Sequence, residues 1–98
     1  MTPEARDDLR SIARYTLETW GAAQQQIYRD KLIACFEAIA NGGIVARHFS
    51  KKYPDCSVTR CEHHYVFYLE AVHESPPVII AVLHEKMDFL VRLKSRLG

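Results

Sequence analysis

The segment His64–Glu70 reads HYVFYLE and decides the fold class, because apolar residues occupy both of its alternating sets of positions. Aromatic and β-branched residues of this kind favour strands. A second run, Val78–His84 (VIIAVLH), is continuously apolar and β-branched, which predicts a central strand. A shorter strand is predicted at Ser57–Cys61. The second half of the chain therefore predicts a small antiparallel sheet of three strands, over residues 57–61, 64–70 and 78–84.

Two helices are predicted before the sheet. Thr2 is a good N-cap and Pro3 suits a first helical position, so one helix is predicted over residues 3–20, ending at Gly21. A second is predicted over residues 22–41, before two glycines. One glycine between two helices predicts an antiparallel helical hairpin. The inward stripes are Ala5, Leu9, Ile12, Thr16 and Trp20 on the first helix, and Tyr28, Leu32, Cys35 and Ile39 on the second.

The remaining segments complete a single α+β domain over residues 1–98. Residues 44–56 show no sustained period and contain two lysines and a proline, which indicates a surface loop. A short C-terminal helix is predicted over residues 88–97, capped by Asp88, with Leu90, Leu93 and Leu97 inward. The helical hairpin can cover one apolar face of the sheet. Either the last helix covers the other face, or a partner docks there.

Composition excludes several classes of protein. Hydrophobic residues make up 48% and charged residues 26% of the 98 residues, as in a folded domain. The sequence lacks an apolar run of the roughly 20 residues that a membrane helix needs. A formal charge of +1 argues against a generic DNA-binding domain. Three cysteines, Cys35, Cys56 and Cys61, are an odd number and predict reduced thiols in a cytoplasmic protein.

The histidines and cysteines of the second half are the first candidates for chemistry. Cys56, Cys61, His63 and His64 have the residue types of a zinc site, but neighbouring strand residues point to opposite faces. We therefore predict no metal and no cofactor. A metal-free ribonuclease needs a base, an acid and a cation for the phosphate. These could come from Arg60, Glu62, His63, His64 and His84, or the same residues could be the polar rim of a sheet.

Several stretches resemble a known family. They are Ile12–Thr16 (IARYT), Trp20–Gln24 (WGAAQ), Arg60–Phe67 (RCEHHYVF) and Leu83–Asp88 (LHEKMD). Together they closely resemble ParE toxins of the RelE/ParE superfamily, above all the plasmid-stabilising branch, from about Thr2 to Leu97. The resemblance implies a helical hairpin packed on an antiparallel sheet, in agreement with the elements predicted above.

The resemblance also implies a function. ParE toxins are not enzymes: they stabilise the cleavage complex of DNA gyrase, block replication and serve plasmid or genome maintenance. A ParD-like antitoxin neutralises them by folding a C-terminal segment around the toxin, and it binds operator DNA through its own N-terminal domain. The toxin would therefore meet operator DNA only indirectly. A homodimer or a higher toxin–antitoxin assembly is possible, and no membrane is involved.

Two alternatives follow from the same resemblance. The RelE/YoeB branch cleaves messenger RNA on the ribosome, and Glu62, His63 and His84 fall near its catalytic positions. However, His64 stands where that branch has an arginine, which disfavours phosphoryl transfer. Relatives usually begin with a short strand, whereas Met1 here directly precedes Thr2, so that strand is expected to be missing: either the chain starts late, or its sheet has three strands and an unpaired edge. A non-toxic remnant that only binds antitoxin is therefore the other alternative.

Two sets of site residues are predicted, and neither includes a catalytic residue. The gyrase-inhibition candidates are Arg60, His63, His64, His84, Lys86, Met87, Arg92, Lys94 and Arg96. The antitoxin-binding candidates, expected to form an apolar groove between hairpin and sheet, are Leu9, Tyr15, Trp20, Tyr28, Phe67 and Tyr68.

Overall fold

The computed structural model of the protein describes residues 1–44, 47–70 and 76–97. Within them the chain forms two long helices, four strands and a short helix, which confirms the predicted α+β fold. The elements are α1 (Pro3–Trp20), α2 (Ala22–Ala40), β1 (Arg47–Ser50), β2 (Tyr53–Cys61), β3 (His64–Leu69), β4 (Val78–His84) and α3 (Phe89–Leu97). No helix in these ranges is long and apolar enough to cross a membrane.

The sheet is antiparallel throughout, in the order β1-β2-β3-β4. The predictions of three strands and of a loop over residues 44–56 are wrong, because residues 47–50 and 53–56 lie in β1 and β2. Their strand conformation comes from tertiary contacts: the Phe49 ring packs edge to face on Phe67, with centroids 5.2 Å apart. Pro54 is tolerated because it lies beyond the last β2 residue that pairs with β3.

The helical hairpin covers one face of the sheet. The Thr2 side chain accepts the Ala5 N–H and caps α1, as predicted. Gly21 joins the two helices with φ of 91°, a value that favours glycine. Ala5 and Thr16 of α1 are buried, and so are Leu32 and Ile39 of α2, against a core that includes Val66, Tyr68 and Val82.

The short helix α3 covers the other face, which settles the choice between self-coverage and a docked partner for the centre of that face. Leu93 is fully buried beside Phe67 and Leu83, with Phe89 and Leu97 packed around them. Asp88 caps the helix by accepting the Val91 N–H. The prediction that Leu90 points inward is wrong, since it is 56% exposed. Residues 89, 93 and 97 share one helix face at a spacing of four, and this spacing turns Leu90 outward.

Within the described residues no strand pairs with the outer edge of β4, as predicted, but this edge has polar partners from both helical layers. The Thr2 N–H donates to the Ile79 carbonyl at 3.0 Å. The Val82 N–H donates to the Asp8 carboxylate at 2.9 Å, and the Arg96 guanidinium donates to the Ile80 carbonyl at 3.1 Å. Arg96 also donates to both Asp8 carboxylate oxygens. This largely buried ion pair joins α1, β4 and α3.

Candidate functional site

A cluster of one tyrosine and three histidines lies at the end of the sheet where β2 turns into β3. We call Tyr28, His63, His64 and His84 the histidine cluster. Strand register places His64 directly opposite His84, with ring centroids 5.3 Å apart. Tyr28 reaches the cluster from α2. Its hydroxyl accepts the His63 backbone N–H at 3.1 Å and lies 2.6 Å from His64 Nδ1.

The ring of His64 is held neutral. Burial, together with the neighbouring His84 and His63, lowers its pKa to about 4. A neutral imidazole can accept a hydrogen bond, and burial raises the pKa of Tyr28, so the tyrosine keeps the proton that it donates to His64 Nδ1. His84 Nδ1 accepts the Lys86 backbone N–H at 3.2 Å. The pair of Tyr28 and His64 at the centre of the cluster is therefore neutral and hydrogen-bonded.

Two exposed ion pairs flank the cluster, and Lys86 lies beside them. Arg60 donates to the Glu85 carboxylate at 3.2 Å and to the Glu62 backbone carbonyl at 2.9 Å. Lys31 lies 4.0 Å from the Glu62 carboxylate. Both pairs are well exposed, so each contributes little to stability. They leave a surface of mixed charge, which suits recognition of a folded protein better than binding of a phosphate.

The turn between β2 and β3 has an unusual backbone conformation. Glu62 has φ of 57°, in the left-handed region that glycine or asparagine usually occupies. For a residue such as glutamate, the left-handed conformation costs about 1 kcal/mol or more. The turn persists because its neighbours are fixed, by strand pairing of Cys61 with His64 and by the bonds from Tyr28.

The cysteines correct the prediction of reduced thiols. Cys35 of α2 and Cys61 at the end of β2 form a disulfide, with their Cα atoms 6.1 Å apart. It joins the helical hairpin to the sheet directly beneath the histidine cluster. Cys56 is free and buried, and burial raises its pKa to about 11, so this thiol is poorly reactive.

The zinc pattern read from the sequence does not converge in space. Cys56 packs in the core beneath α3, whereas Cys61 packs beneath the helical hairpin. They lie five residues apart in one strand, so their side chains point to opposite faces. Throughout residues 1–44, 47–70 and 76–97, no three His, Cys, Asp or Glu side chains are grouped to hold a metal ion.

The structure brings six of the nine gyrase-inhibition candidates to one end of the sheet. His63, His64 and His84 form the cluster, Arg60 flanks it, and Lys86 and Met87 follow β4 in a turn whose Met87 N–H donates to the His84 carbonyl. The other three are separate. Arg92 and Lys94 are exposed on α3. Arg96 bonds to Asp8 and is largely buried, which makes it a structural residue.

The antitoxin-binding candidates do not form the predicted groove. Phe67 is fully buried and Tyr68 nearly so, on opposite faces of β3. Neither can contact a partner without unfolding of the core. Leu9 is half-buried and Tyr28 belongs to the histidine cluster. Only Tyr15 and Trp20, 65% and 67% exposed, lie on a free surface among the six candidates.

Sequence reasoning missed three contributors to this architecture. Asp8 is in no predicted set, although it anchors α3 and β4. Glu85 was not identified as the partner of Arg60, and Cys35 was interpreted as a small core residue. Each acts through a partner at least 25 residues away in sequence. Periodicity carries no signal for such contacts.

Comparisons with known proteins identify a family for this chain. The family model described as "ParE toxin of type II toxin-antitoxin system, parDE" matches residues 1–89. A curated relative, "Toxin ParE" of Escherichia coli, is 44% identical over 97 residues, which span 99% of this chain and 93% of the relative. A match of this extent covers both helical layers and every strand. The chain therefore belongs to the ParE toxin family of type II toxin–antitoxin systems.

Proposed function

We propose that this toxin inhibits DNA gyrase in the cytoplasm, is not an enzyme, and is neutralised by a ParD-like antitoxin. Gyrase would be contacted through the sheet end formed by Arg60, His63, His84, Lys86 and Met87. We call these five residues the sheet-end surface. All but His84 are exposed, and His84 is half-buried.

One observation favours a protein target over messenger RNA. Phosphoryl transfer needs a cation held against the scissile phosphate and a titratable acid or base beside it. Here Arg60 bonds to Glu85 and to the Glu62 carbonyl, and Lys31 lies near Glu62. His64 is neutral and bonded to Tyr28. A surface that combines an ion-paired arginine, an exposed lysine, ring faces and an exposed methionine suits a protein interface.

The antitoxin would bind elsewhere, on apolar side chains at the turn of the helical hairpin. We call Leu17, Trp20 and Ile27 the hairpin-tip surface. All three lie within two helical turns of Gly21 and are 50%, 67% and 49% exposed. An exposed tryptophan among aliphatic neighbours is typical of the centre of a protein interface. Coupled folding of an antitoxin segment would cover this apolar area.

The decisive test is gyrase supercoiling of relaxed plasmid, run beside cleavage of messenger RNA on programmed ribosomes. We expect the purified toxin to abolish supercoiling and to accumulate linear cleaved DNA, with the RNA intact. Arg60→Ala with Lys86→Ala should weaken inhibition at least roughly tenfold, the loss of about 1.4 kcal/mol of interaction.

Lys51→Ala with Lys52→Ala is the matched control. This variant also removes two positive charges, but from the β1–β2 turn, at the opposite end of β2. Equal loss of inhibition in both variants would indicate a general charge effect and would remove the sheet-end assignment. RNA cut only in the presence of ribosomes would overturn gyrase inhibition. If the protein neither inhibits supercoiling nor cleaves RNA but still binds antitoxin, it is a chain that only binds antitoxin.

A further inference from the structure

One face of α2 contacts four consecutive residues at the β2–β3 turn. Tyr28, Lys31 and Cys35 are spaced by three and four residues, so they share a helix face. Tyr28 bonds to His63 and His64, and Lys31 lies near the Glu62 carboxylate. Cys35 is joined to Cys61 by the disulfide. Every residue from 61 to 64 therefore has a partner on α2.

These contacts differ in strength. The pair of Lys31 and Glu62 is exposed and at the outer limit of ion-pair distance, so it holds the turn weakly. The Tyr28 bonds are partly buried and reversible. The disulfide is covalent, and it is attached to the residue just before Glu62, whose left-handed backbone needs restraint. Whether this covalent bond is present therefore decides how firmly the turn is held.

We propose that the Cys35–Cys61 disulfide is a redox-dependent latch on the sheet-end surface. Oxidised, it holds the β2–β3 turn, with Arg60 and His63, in one conformation. Reduced, it leaves the turn to the hydrogen bonds and the weak ion pair. Disulfides in reducing compartments are typically transient and redox-sensing rather than permanent. The latch rests on the proposed function for its biological consequence but not for its chemistry.

The closing reaction is thiol–disulfide exchange with a small-molecule disulfide of the glutathione class. Cys35 is half-buried and Cys61 buried, so the Cys35 thiolate is the one that attacks first. It displaces one glutathione thiolate and forms a mixed disulfide. The Cys61 thiolate then attacks the Cys35 sulfur and displaces the second glutathione. Two protein thiols are oxidised, one glutathione disulfide is reduced, and the two thiol protons pass to the departing thiolates.

The functional consequence follows from the cost of ordering a binding surface. A partner that binds the sheet-end surface must fix the β2–β3 turn, and this costs free energy when the turn is mobile. In the oxidised protein the disulfide already restricts the turn, so binding loses less conformational freedom. The oxidised toxin should therefore inhibit gyrase at lower concentration than the reduced toxin.

The test equilibrates the full chain in buffers of defined ratio of reduced to oxidised glutathione. Thiol alkylation with mass spectrometry reads the disulfide, hydrogen exchange reads the turn, and supercoiling reads the function. Oxidation should protect Cys35 and Cys61 from alkylation and slow amide exchange at residues 61–64 by about fivefold or more. It should also lower the inhibitory concentration by about threefold.

Two variants make the result specific. Cys35→Ala should behave like the reduced protein in every buffer. Cys56→Ala is the matched control, because Cys56 is a buried free thiol in the other core. It should keep the full redox response of the original chain, with folding of both variants confirmed by circular dichroism.

Each outcome decides the proposal. Free alkylation of Cys35 and Cys61 in oxidising buffer would overturn it, and so would a disulfide that changes neither exchange at residues 61–64 nor gyrase inhibition. Slower exchange in the oxidised form, in a protein that never inhibits gyrase, would support the latch and reject the proposed function. A redox response that is lost in Cys56→Ala and retained in Cys35→Ala would show that Cys56 carries the response, and would overturn the proposal for Cys35 and Cys61.

Discussion

The two faces of the sheet are covered by layers of very different size. The hairpin face has two helices of 18 and 19 residues, whereas the opposite face has α3 with nine residues. A helix of nine residues is marginal in water and depends on tertiary contacts. α3 obtains them from Leu93, which is fully buried, and from Arg96, which bonds to Asp8 and to β4. The hairpin layer can rely on its large buried apolar area, whereas the nine-residue α3 also needs the polar contacts of Arg96.

The largest expected effect tests the apolar contact of the small layer. Leu93→Ala should lower the free energy of unfolding by about 3 kcal/mol, because it removes a fully buried side chain and leaves a cavity. Urea unfolding followed by circular dichroism measures this. Leu90→Ala is the matched control on the same helix, where the side chain is 56% exposed, and should cost under about 0.5 kcal/mol. Equal effects would mean that α3 is not packed on the sheet.

The next effect tests the polar anchor. Arg96→Met should cost roughly 2–3 kcal/mol, because it leaves the Asp8 carboxylate largely buried without its cation and leaves the Ile80 carbonyl with only the distant Thr2 hydroxyl as a donor. Arg92→Met, exposed on the same helix, is the control and should be nearly neutral. Adding Asp8→Asn to Arg96→Met should recover part of the loss in urea unfolding. No recovery would show that the two residues act independently.

A smaller effect is expected from pH on the hairpin face. The folded-state pKa of His64 lies near 4, below its ordinary 6.5, chiefly through burial and then through His84 and His63, although Asp8 and Glu85 oppose them. The unfolded chain therefore binds the proton more readily. The contribution of His64 to the free energy of unfolding is fully present above pH 6.5 and is lost as the pH falls toward 4. Since His64 is only partly buried, we expect a loss of roughly 1–2 kcal/mol.

His64→Asn checks that assignment. Urea unfolding at pH 7.5 and pH 4.5 should show a smaller difference for this variant than for the original chain, because the depressed group is gone. His48→Asn is the control, since this exposed histidine lies on β1, outside the histidine cluster. A pH dependence unchanged by His64→Asn would place the titrating group elsewhere.

The smallest effect on folding is expected at the hairpin tip. Trp20→Ala should change the free energy of unfolding by less than about 0.5 kcal/mol, because the side chain is 67% exposed. The affinity of the Trp20→Ala variant for the proposed ParD-like antitoxin, measured by calorimetry, should be about tenfold lower or more. Val91→Ala removes an equally exposed apolar side chain from α3 and should leave that affinity unchanged. A loss in both variants would contradict a binding site confined to the hairpin tip.

Trp20 shows where sequence periodicity stops being informative. The stripe of Ala5, Leu9, Ile12 and Thr16 is inward in the structure, as its spacing predicts. Trp20 continues the same spacing but occupies the last helical position, beyond the packed layer. Phe67 and Tyr68 show the converse, since both were expected at a groove and both are buried. Spacing gives the direction of a side chain but not what lies in that direction.

The region before β2 shows a second limit. Residues 47–56 have no clear alternation, and nevertheless residues 47–50 and 53–56 lie in strands, with the two lysines in the turn between them and the proline in β2. Phe49 packs on Phe67 and on the core beneath α3, and this contact supplies what local propensity lacks. The family, by contrast, is predicted from RCEHHYVF followed by LHEKMD at its spacing, together with two stretches of the helical hairpin, and the family model confirms it.

The sequence by itself determined the helical hairpin, strands β3 and β4, the cap of α1 and the ParE family, because these depend on neighbours a few residues apart. Only the tertiary structure decided that α3 covers the second face, that Arg96 is an anchor and that Cys35 meets Cys61. It also decided that His64 is neutral. These features arise from contacts between residues distant in sequence, whose free energy depends on burial and geometry that no local pattern encodes.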